Sequence, residues 1–233
     1  MSGLSVALDG KQFDDAPVLG RIAFDLAPGE IAALIGPSGA GKTTLLNLIA
    51  GIDHAFEGEI RRPEGQVAMV FQSPRLLPWR TLAQNITLVP GSGGEDRARA
   101  LLADVGLSEA ADQYPERVSL GMQRRAALAR ALAIDPVLVV MDEPTVSLDP
   151  PTAAAMRGLI RDLLAASQAT ALIATHDRAE ALTLADRILE IGERPARLVR
   201  DRANPLDRHA RRAPGAADAL LPGWFGDATR AAE

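Results

Sequence analysis

The chain lacks cysteine altogether, and it has few of the features that mark secreted, membrane-spanning or nucleic-acid-binding proteins. Without cysteine it cannot form disulfides or thiolate metal sites, which fits a reducing compartment. No apolar run approaches the roughly 18 residues of a membrane-spanning helix, and residues 1–5 lack the charged-then-apolar order of a secretory signal. The net charge of −5 provides no basic surface for nucleic acid. We therefore expect a soluble, cytoplasmic protein.

Length and periodicity predict an α/β fold. At 233 residues the chain can bury a full core, as one large domain or as a domain with a subdomain. The predicted strands cover residues 4–8, 22–26, 31–35, 59–61, 67–71, 137–141, 169–174, 187–191 and 197–199, with turns at Asp9-Gly10 and Pro28-Gly29. The predicted helices cover residues 44–50, 97–105, 121–133, 152–166 and 179–184. This alternation indicates a mostly parallel α/β core behind a β-rich N-terminal segment.

Two composition changes divide the chain. Residues from about 73 to 136 have a helical character and are predicted to be an inserted subdomain. After residue 202 the sequence becomes rich in Ala, Arg, Pro and Gly without a clear period. We therefore expect one folded domain over residues 1–202 and a loosely structured tail over residues 203–233, with a short helix near residues 216–221.

Lysine is also scarce, since the chain contains only Lys11 and Lys42. Lys42 belongs to a run that fits G-x-x-x-x-G-K-[ST] between an apolar strand and a helix. The run is Gly36, Pro37, Ser38, Gly39, Ala40, Gly41, Lys42 and Thr43, and Thr44 continues into the helix. Its glycines let successive N–H groups face one phosphate, and the helix N-terminus adds partial positive charge. With Lys42 for the β/γ-phosphates and Thr43 for Mg²⁺, the sequence predicts a nucleoside triphosphate site.

A pair of acidic residues follows the apolar run 137–141. A carboxylate at the end of a buried strand is well placed to hold Mg²⁺ or its water shell, and we assign this role to Asp142. Glu143 can then orient and deprotonate a water molecule for attack on the γ-phosphate. A solvated pair of acidic residues at a strand end is the alternative.

A serine and a glycine begin a long amphipathic helix between these motifs. The run Val118-Ser119-Leu120-Gly121-Met122 resembles the signature of the ATP-binding subunits of ABC transporters, leucine-serine-glycine-glycine-glutamine, which often ends in methionine in importer subunits. Ser119, Gly121 and Met122 match, whereas Leu120 replaces the first glycine and Val118 replaces leucine. A helix N-terminus with a hydroxyl group can bind a phosphate. Taken alone, Ser119 is also what an ordinary N-cap provides.

Other motifs of the family follow in chain order. Gln72 matches the glutamine loop that senses Mg²⁺, and Ser147-Leu148-Asp149 matches the D-loop. His176 matches the switch histidine that contacts the γ-phosphate. Phe13 lies where the family usually stacks an aromatic ring on adenine, and a position in the core is the alternative for this ring.

The resemblance covers about residues 4–200 and implies the P-loop NTPase core of an ABC ATPase, with an N-terminal antiparallel β subdomain and a helical subdomain over about residues 73–136. It implies a head-to-tail dimer, with itself or a paralogue, that encloses two ATP molecules. The residues that would face each other across this interface are Lys42, Thr43 and Glu143 of one subunit and Ser119 and Gly121 of the other. Because a bulky Leu120 restricts the approach of backbone to phosphate, closure should be weaker than with two glycines.

The same resemblance implies roles for the remaining motif residues. Thr43, Gln72 and Asp142 would hold Mg²⁺. Glu143 and His176 would act on the attacking water and the γ-phosphate, and Gln72 is counted with them among the catalytic residues. Asp149 would contribute to the nucleotide site from the D-loop.

The segment after the glutamine loop indicates a subfamily. Residues 71–82, followed by Asn85-Ile86, resemble importers of the nitrate, taurine, alkanesulfonate and thiamine-precursor group. The family receives the coupling helix of a permease here, so we expect contacts over about Ser73–Asn85. An exposed Trp79 would otherwise be an unexplained apolar patch, and the alternative is that it packs inside the helical subdomain. Thr145-Val146-Ser147 departs from the phenylalanine-glycine-alanine run usual in this group.

The predicted function is therefore ATP hydrolysis that energises uptake of a small solute, through permease subunits and a periplasmic or surface solute-binding protein, at the inner face of the cell membrane. One alternative is the ATPase of an ABC exporter or lipid-trafficking system, against which the Leu-Leu-Pro-Trp segment and the single ATP-binding domain argue. Another is a soluble ABC ATPase, which would carry a second ATP-binding domain or a long coiled coil. The acidic balance argues against a nucleic-acid partner. The sequence does not give the substrate, because other chains bind it.

Overall fold

Strands and helices alternate through most of the chain. The computed structural model describes residues 3–213 and 215–225. The strands are β1 (Leu4–Phe13), β2 (Ala16–Leu19), β3 (Ile22–Leu26), β4 (Ile31–Ile35), β5 (Glu57–Arg61), β6 (Val67–Val70), β7 (Leu138–Asp142), β8 (Thr170–Thr175), β9 (Arg187–Ile191) and β10 (Leu198–Ala203). The helices are α1 (Lys42–Ala50), α2 (Leu82–Thr87), α3 (Gly94–Asp104), α4 (Leu120–Leu132), α5 (Pro150–Ser167), α6 (Arg178–Leu184) and α7 (Ala216–Trp224). The predicted α/β class is confirmed.

The central strands of the larger sheet are buried on both faces. Its spatial order is β10-β9-β4-β8-β7-β6, and every neighbouring pair is parallel except β10 and β9. Because successive side chains of a strand point to opposite faces, Ile31, Ala33 and Ile35 pack into one core with α4 and α5, whereas Ala32 and Leu34 pack into another with α1. Cover on both faces explains the nearly continuous apolar runs in β4, β7 and β8.

The N-terminal sheet is antiparallel, as predicted. Strand β1 pairs with β2, β3 and β5. Burial alternates along β1 and β3, so that Leu4, Val6 and Phe24 join the core that also contains α1. Alternate residues in these strands are exposed, which is the pattern expected of a sheet with one solvated face.

The predicted turn at Asp9-Gly10 is wrong. Strand β1 continues through both residues to Phe13, and its register against β5 shifts between Leu8 and Gly10. An extra residue in one strand of an antiparallel pair is absorbed as a bulge rather than as a reversal. The chain reverses instead at Asp14 and Asp15, which have φ values of 45° and 64°. Aspartate tolerates this left-handed conformation better than most residues.

The helical subdomain is confirmed, and it has a core of its own. Leu82 and Ile86 of α2, Leu102 of α3, and Ala126 and Ala129 of α4 belong to a separate buried cluster. The sequence analysis does not predict α2 as a separate helix. The sequence does carry a signal for it, because Thr81 and Gln84 form a capping box of the pattern Thr-x-x-Gln. Trp79, just before α2, is 67% exposed. The alternative that Trp79 packs inside the subdomain is therefore wrong.

The C-terminal segment is packed more closely against the core than the expected loose tail, and the short helix predicted within it is present. Helix α7 includes the predicted short helix at residues 216–221. Ala217 and Phe225 are buried in the core shared with α5 and β4, and Leu220, Leu221 and Trp224 pack against it. Composition hid this contact because only a few apolar residues, within a segment rich in Ala, Arg, Pro and Gly, make it. The predicted tail also includes residue 214 and residues 226–233, which lie outside the described residues.

None of the helices in residues 3–213 and 215–225 has the length and apolar character that crossing a membrane requires.

The core between the large sheet and α5 should tolerate cavities poorly. Ile160 is fully buried there, so we expect Ile160→Ala to lower the free energy of unfolding by about 2–5 kcal/mol, as measured by urea denaturation. Val199→Ala removes methyl groups from an exposed position on β10. This variant should change the free energy of unfolding by less than about 0.5 kcal/mol. Equal losses in the two variants would contradict this packing.

Candidate active site

The loop between β4 and α1 is built around glycine conformations. Gly39 and Gly41 have φ values of 79° and 106°, which other residues rarely adopt. A Cβ atom at Gly41 would also lie 2.8 Å from Leu19 Cδ2, and one at Gly36 would lie 2.7 Å from the Ile191 carbonyl oxygen. The loop therefore has room for backbone only where it passes β2 and β9.

The other residues of the predicted phosphate loop fall into two groups. Pro37, Ser38 and Gly39 form its exposed tip, whereas Ala40 and Lys42 are buried. The Nζ atom of Lys42 donates to the carbonyl oxygens of Gly36 and Pro37, at 2.8 and 3.0 Å. The ammonium group is thus held across the loop, beside the N-terminus of α1, where Thr43 is exposed and Thr44 half-buried. A buried cation and a helix N-terminus together favour an anionic ligand.

Asp142 meets this loop from the end of β7. The hydroxyl of Thr43 donates to Asp142 Oδ2 at 2.7 Å. Burial raises the pKa of Asp142, and the hydrogen bond from Thr43 and the charge of Lys42 oppose that rise. Two of the three residues predicted to hold Mg²⁺, Thr43 and Asp142, are therefore adjacent, although 99 residues separate them in the chain.

Glu143 lies between two other predicted residues. Its Oε1 atom is 3.2 Å from Nδ1 of His176, and its Oε2 atom accepts from Nε2 of Gln72 at 3.5 Å. The Glu143 backbone is in the left-handed region, with φ 45°, and its N–H donates to the carbonyl of Ala174 at 2.9 Å. Gln72, Glu143 and His176 follow β6, β7 and β8, which are neighbours in the sheet. The structure thus brings the three predicted catalytic side chains together.

A cleft opens beside these residues. It has a volume of about 380 Å³, and its walls include Thr43, Gln72, Asp142, Leu120 and Ser147. The glutamine loop, the strand-end carboxylate and the start of α4 therefore border one space in a single chain.

Ser119, Gly121 and Asp149 lie at two helix N-termini that contact each other. Ser119 caps α4 by accepting from Met122 N at 3.3 Å, and Asp149 caps α5 by accepting from Thr152 N at 3.1 Å. A Cβ atom at Gly121 would lie 2.9 Å from Thr152 Cγ2. Within the described residues, no hydrogen bond joins these caps to the phosphate loop. Ser119 therefore acts as an N-cap within one chain, and it is exposed at the N-terminus of α4.

Phe13 is not a core residue, so that alternative is wrong. Its side chain is 48% exposed at the end of β1. The Nζ atom of Lys11 lies 4.4 Å from the centre of the ring. Lys11 is itself buried, paired with Asp53 at 2.8 Å and donating to the Ala55 carbonyl at 2.6 Å. Both lysines of the chain are thus buried beside predicted nucleotide-binding residues.

Three supporting residues were missed. Thr145 donates to Glu180 Oε1 at 2.5 Å, and Arg124 Nη1 donates to the Pro144 carbonyl at 2.9 Å. Both contacts hold the loop that follows Glu143. Glu180 is fully buried, and burial raises its pKa. An acidic residue in the first turn of a helix is ordinary at the surface, so the sequence carried no signal that distinguished Glu180.

The family can now be identified. A family model described as ABC transporter matches residues 19–146, which is more than half of the chain. The chain therefore belongs to the ABC transporter family as an ATP-binding protein, and it is an ABC-type ATPase.

Specific relatives share most of its length. Aliphatic sulfonates import ATP-binding protein SsuB 1 of Pseudomonas syringae pv. syringae (strain B728a) is 40% identical over 218 residues, which cover 87% of this chain and 90% of that protein. The protein of the same name in Burkholderia cenocepacia (strain HI2424) is 43% identical over 223 residues, 93% of this chain and 69% of that protein. The dimeric structure of the ATP-binding cassette MJ0796 in a post-hydrolysis state, bound to ADP and Pi, has a TM-score of 0.75 and 26% identity, and covers 89% of this chain and 100% of that one.

The buried Glu180 should limit stability at neutral pH. Its pKa is raised above the ordinary 4.5, with burial as the largest cause and the Asp177 charge adding to it, while Thr145, Thr175 and Arg157 oppose it. A carboxyl that holds its proton more tightly when folded destabilises the fold once the pH is high enough to ionise it. Glu180→Gln removes that cost and keeps an acceptor for Thr145, so the variant should be more stable than wild type at pH 7.

Urea denaturation across a pH series measures this effect. The advantage of Glu180→Gln should shrink as the pH falls towards 4.5 and vanish below it. Glu180→Ala leaves the Thr145 hydroxyl without its acceptor and should be less stable than Glu180→Gln at every pH. A stability difference independent of pH would contradict the assignment.

Proposed function

We propose that this chain is the ATP-hydrolysing subunit of an importer for aliphatic sulfonates. Relatives named for that import are 40–43% identical over 87–93% of the chain. In this proposal ATP hydrolysis drives permease subunits, which receive the solute from a periplasmic or surface binding protein. The chain would work as a peripheral protein on the cytoplasmic face of the cell membrane, without a nucleic-acid partner.

One observation carries the catalytic part of the proposal. Glu143 Oε1 lies 3.2 Å from His176 Nδ1, while Oε2 accepts from Gln72. These two contacts fix the orientation of the Glu143 carboxylate. A general base needs such a fixed orientation in order to position and deprotonate a water molecule. His176, 54% exposed on its side chain, would contact the γ-phosphate. Lys42 would place its charge against the β/γ-phosphates, and Asp149 would complete the site from the D-loop.

The donor set suits Mg²⁺. Thr43 and Asp142 present a hydroxyl and a carboxylate oxygen 2.7 Å apart, and Gln72 lies nearby. Magnesium usually takes one or two protein oxygens and completes its shell with water and phosphate oxygens. Accordingly, the described residues contain no cluster of three or more His, Cys, Asp or Glu that could hold a metal. When bound, the ion would neutralise charge on the β- and γ-phosphates.

A head-to-tail dimer, with itself or a paralogue, would complete each site. Ser119 and Gly121 make no hydrogen bond to the phosphate loop of their own chain, and the similar cassette is dimeric. A second chain would therefore supply the signature helix N-terminus to the phosphates. Leu120 is 41% exposed at this face, so its side chain must be accommodated when the dimer closes. Phe13 is free to stack on the adenine ring.

The segment Ser73–Asn85 would receive the permease. Its backbone is held firmly, since Asn85 donates to the carbonyls of Leu77, Arg80 and Thr81 at 2.9–3.2 Å. Trp79 nevertheless projects into solvent. A rigid segment that exposes a tryptophan has the composition of an interface centre.

Hydrolysis should depend on Glu143. We expect Glu143→Gln to lower the rate of Mg·ATP hydrolysis about 10²–10⁴-fold, because the amide cannot accept the proton of the attacking water. ATP binding should persist, since Lys42 and Thr43 are unchanged. Size-exclusion chromatography of this variant in the presence of ATP should show a dimer. Glu193→Gln alters an exposed carboxylate and should hydrolyse like wild type. Equal activity of Glu143→Gln and wild type would remove Glu143 from the mechanism.

The solute can be tested by replacement. In a Burkholderia or Pseudomonas strain deleted for its own aliphatic sulfonates import ATP-binding proteins, this chain should restore uptake of a labelled short alkanesulfonate. Glu143→Gln should not restore it, because transport requires hydrolysis in this proposal. Hydrolysis by the purified chain without restored sulfonate uptake would contradict the solute assignment and leave the ATPase assignment intact.

A further inference from the structure

Side chains of the C-terminal segment cap the end of helix α6. Nδ2 of Asn204 donates to the carbonyls of Leu182 and Ala185, at 2.9 and 2.7 Å. Nη1 of Arg211 donates to the carbonyl of Leu184 at 3.3 Å. The last carbonyls of a helix have no partner within the helix. Two residues beyond β10 therefore supply what α6 lacks at its own C-terminus.

The same segment ties this end of α6 to the sheet through Asp186. Nη2 of Arg208 and Nη2 of Arg211 pair with Asp186 at 2.5 and 2.7 Å, and Asp186 Oδ2 accepts from Ile31 N at 3.0 Å. The Arg211 side chain is almost completely buried. These donors hold the pKa of Asp186 at about 2 although burial opposes them. The end of α6 and the start of β4 thus share one charged anchor.

The segment also covers the first residue of α6. The guanidinium of Arg178 lies 4.7 Å from the centre of the Phe225 ring, which follows α7 and is buried. Its Nη2 atom lies 3.8 Å from Glu190 of β9. Helix α6 is therefore held at both ends by residues that follow β10.

Helix α6 in turn supports both sides of the catalytic pair. His176 directly precedes Asp177, whose side chain caps α6 by accepting from Ala179 N and Glu180 N. Glu180 accepts from Thr145, two residues after Glu143. A displacement of α6 would therefore move the histidine through the chain and the glutamate through this hydrogen bond.

We propose that the C-terminal segment, residues 204–213 and 215–225, sets the position of α6 and through it the Glu143–His176 geometry, with Asn204 and Arg211 as positioning residues. The proposal rests on the proposed function for the meaning of that geometry. A helix of seven residues is too short to be stable alone, so its position comes from tertiary contacts. Misplacement of a catalytic group by about 1 Å can cost about 10²-fold in rate.

Two neighbouring arginines provide a matched test. Arg211→Ala removes the donors to Leu184 and Asp186, whereas Arg212→Ala removes an exposed contact with Asp162 at 3.3 Å. We expect kcat for ATP hydrolysis to fall about tenfold in Arg211→Ala. KM and ATP affinity should be unchanged, because none of the hydrogen-bond partners of Arg211 belongs to the phosphate loop. Arg212→Ala should match wild type. Asn204→Ala is a milder change, and it should lower kcat by a smaller factor.

Proton NMR of the histidine rings gives a second readout. The chain has three histidines, and the His176 ring signals should shift in Arg211→Ala and Asn204→Ala, while those of His54 should not. Folded variants with wild-type kcat and an unshifted His176 would overturn the proposal, as would a rise in KM equal to the fall in kcat. A wild type that fails to hydrolyse ATP would contradict the proposed function instead, and the His176 shift would still decide this inference.

Discussion

The parallel pairing of β4, β8 and β7 is the constraint on which the site depends. Ile35 pairs with Thr175, and Ala174 with Asp142, so the three strands end at one edge of the sheet. The phosphate loop, the acidic pair Asp142-Glu143 and His176 all lie at this edge, although they are far apart in the chain. A shift of one residue in any pairing would exchange the two faces of that strand. Burial on both sides of these strands therefore fixes the positions of the groups predicted to be catalytic.

Charge is buried at this edge at a cost to stability. Lys42 donates hydrogen bonds to two carbonyl groups of the phosphate loop. Asp142 accepts a hydrogen bond from Thr43, and Glu180 accepts one from Thr145. The hydrogen bonding of Arg124 is incomplete, because its Nε atom has no hydrogen-bond partner among the described residues. Burial raises the pKa of Asp142 and lowers that of Arg124, which shows that desolvation outweighs the local partners. Such groups persist where a function needs them, since apolar residues would give a more stable core.

The sequence predicted best where one local pattern fixes both conformation and chemistry. The loop ending in Lys42 and Thr43 needs its glycines, its strand and its helix together, and all are visible within about 20 residues. The prediction that Gln72, Glu143 and His176 belong to one site came from the family resemblance and not from spacing. What could not be predicted depends on distant packing. The bulge that carries β1 past Asp9 is set by pairing with β5, and the burial of Glu180 is set by the loop at Thr145.

The backbone of Glu143 shows why distant contacts matter for this site. A non-glycine residue at φ 45° is held in a sparsely populated conformation, at a cost of about 1–3 kcal/mol. The surrounding structure must supply this energy, and the hydrogen bonds from Glu143 N to Ala174 and from Thr145 to Glu180 are among the contacts that hold this part of the chain. The second depends on α6, which is too short to hold itself in place. Residues beyond β10, whose composition indicated a loose tail, thereby become part of what keeps the Glu143 carboxylate in position.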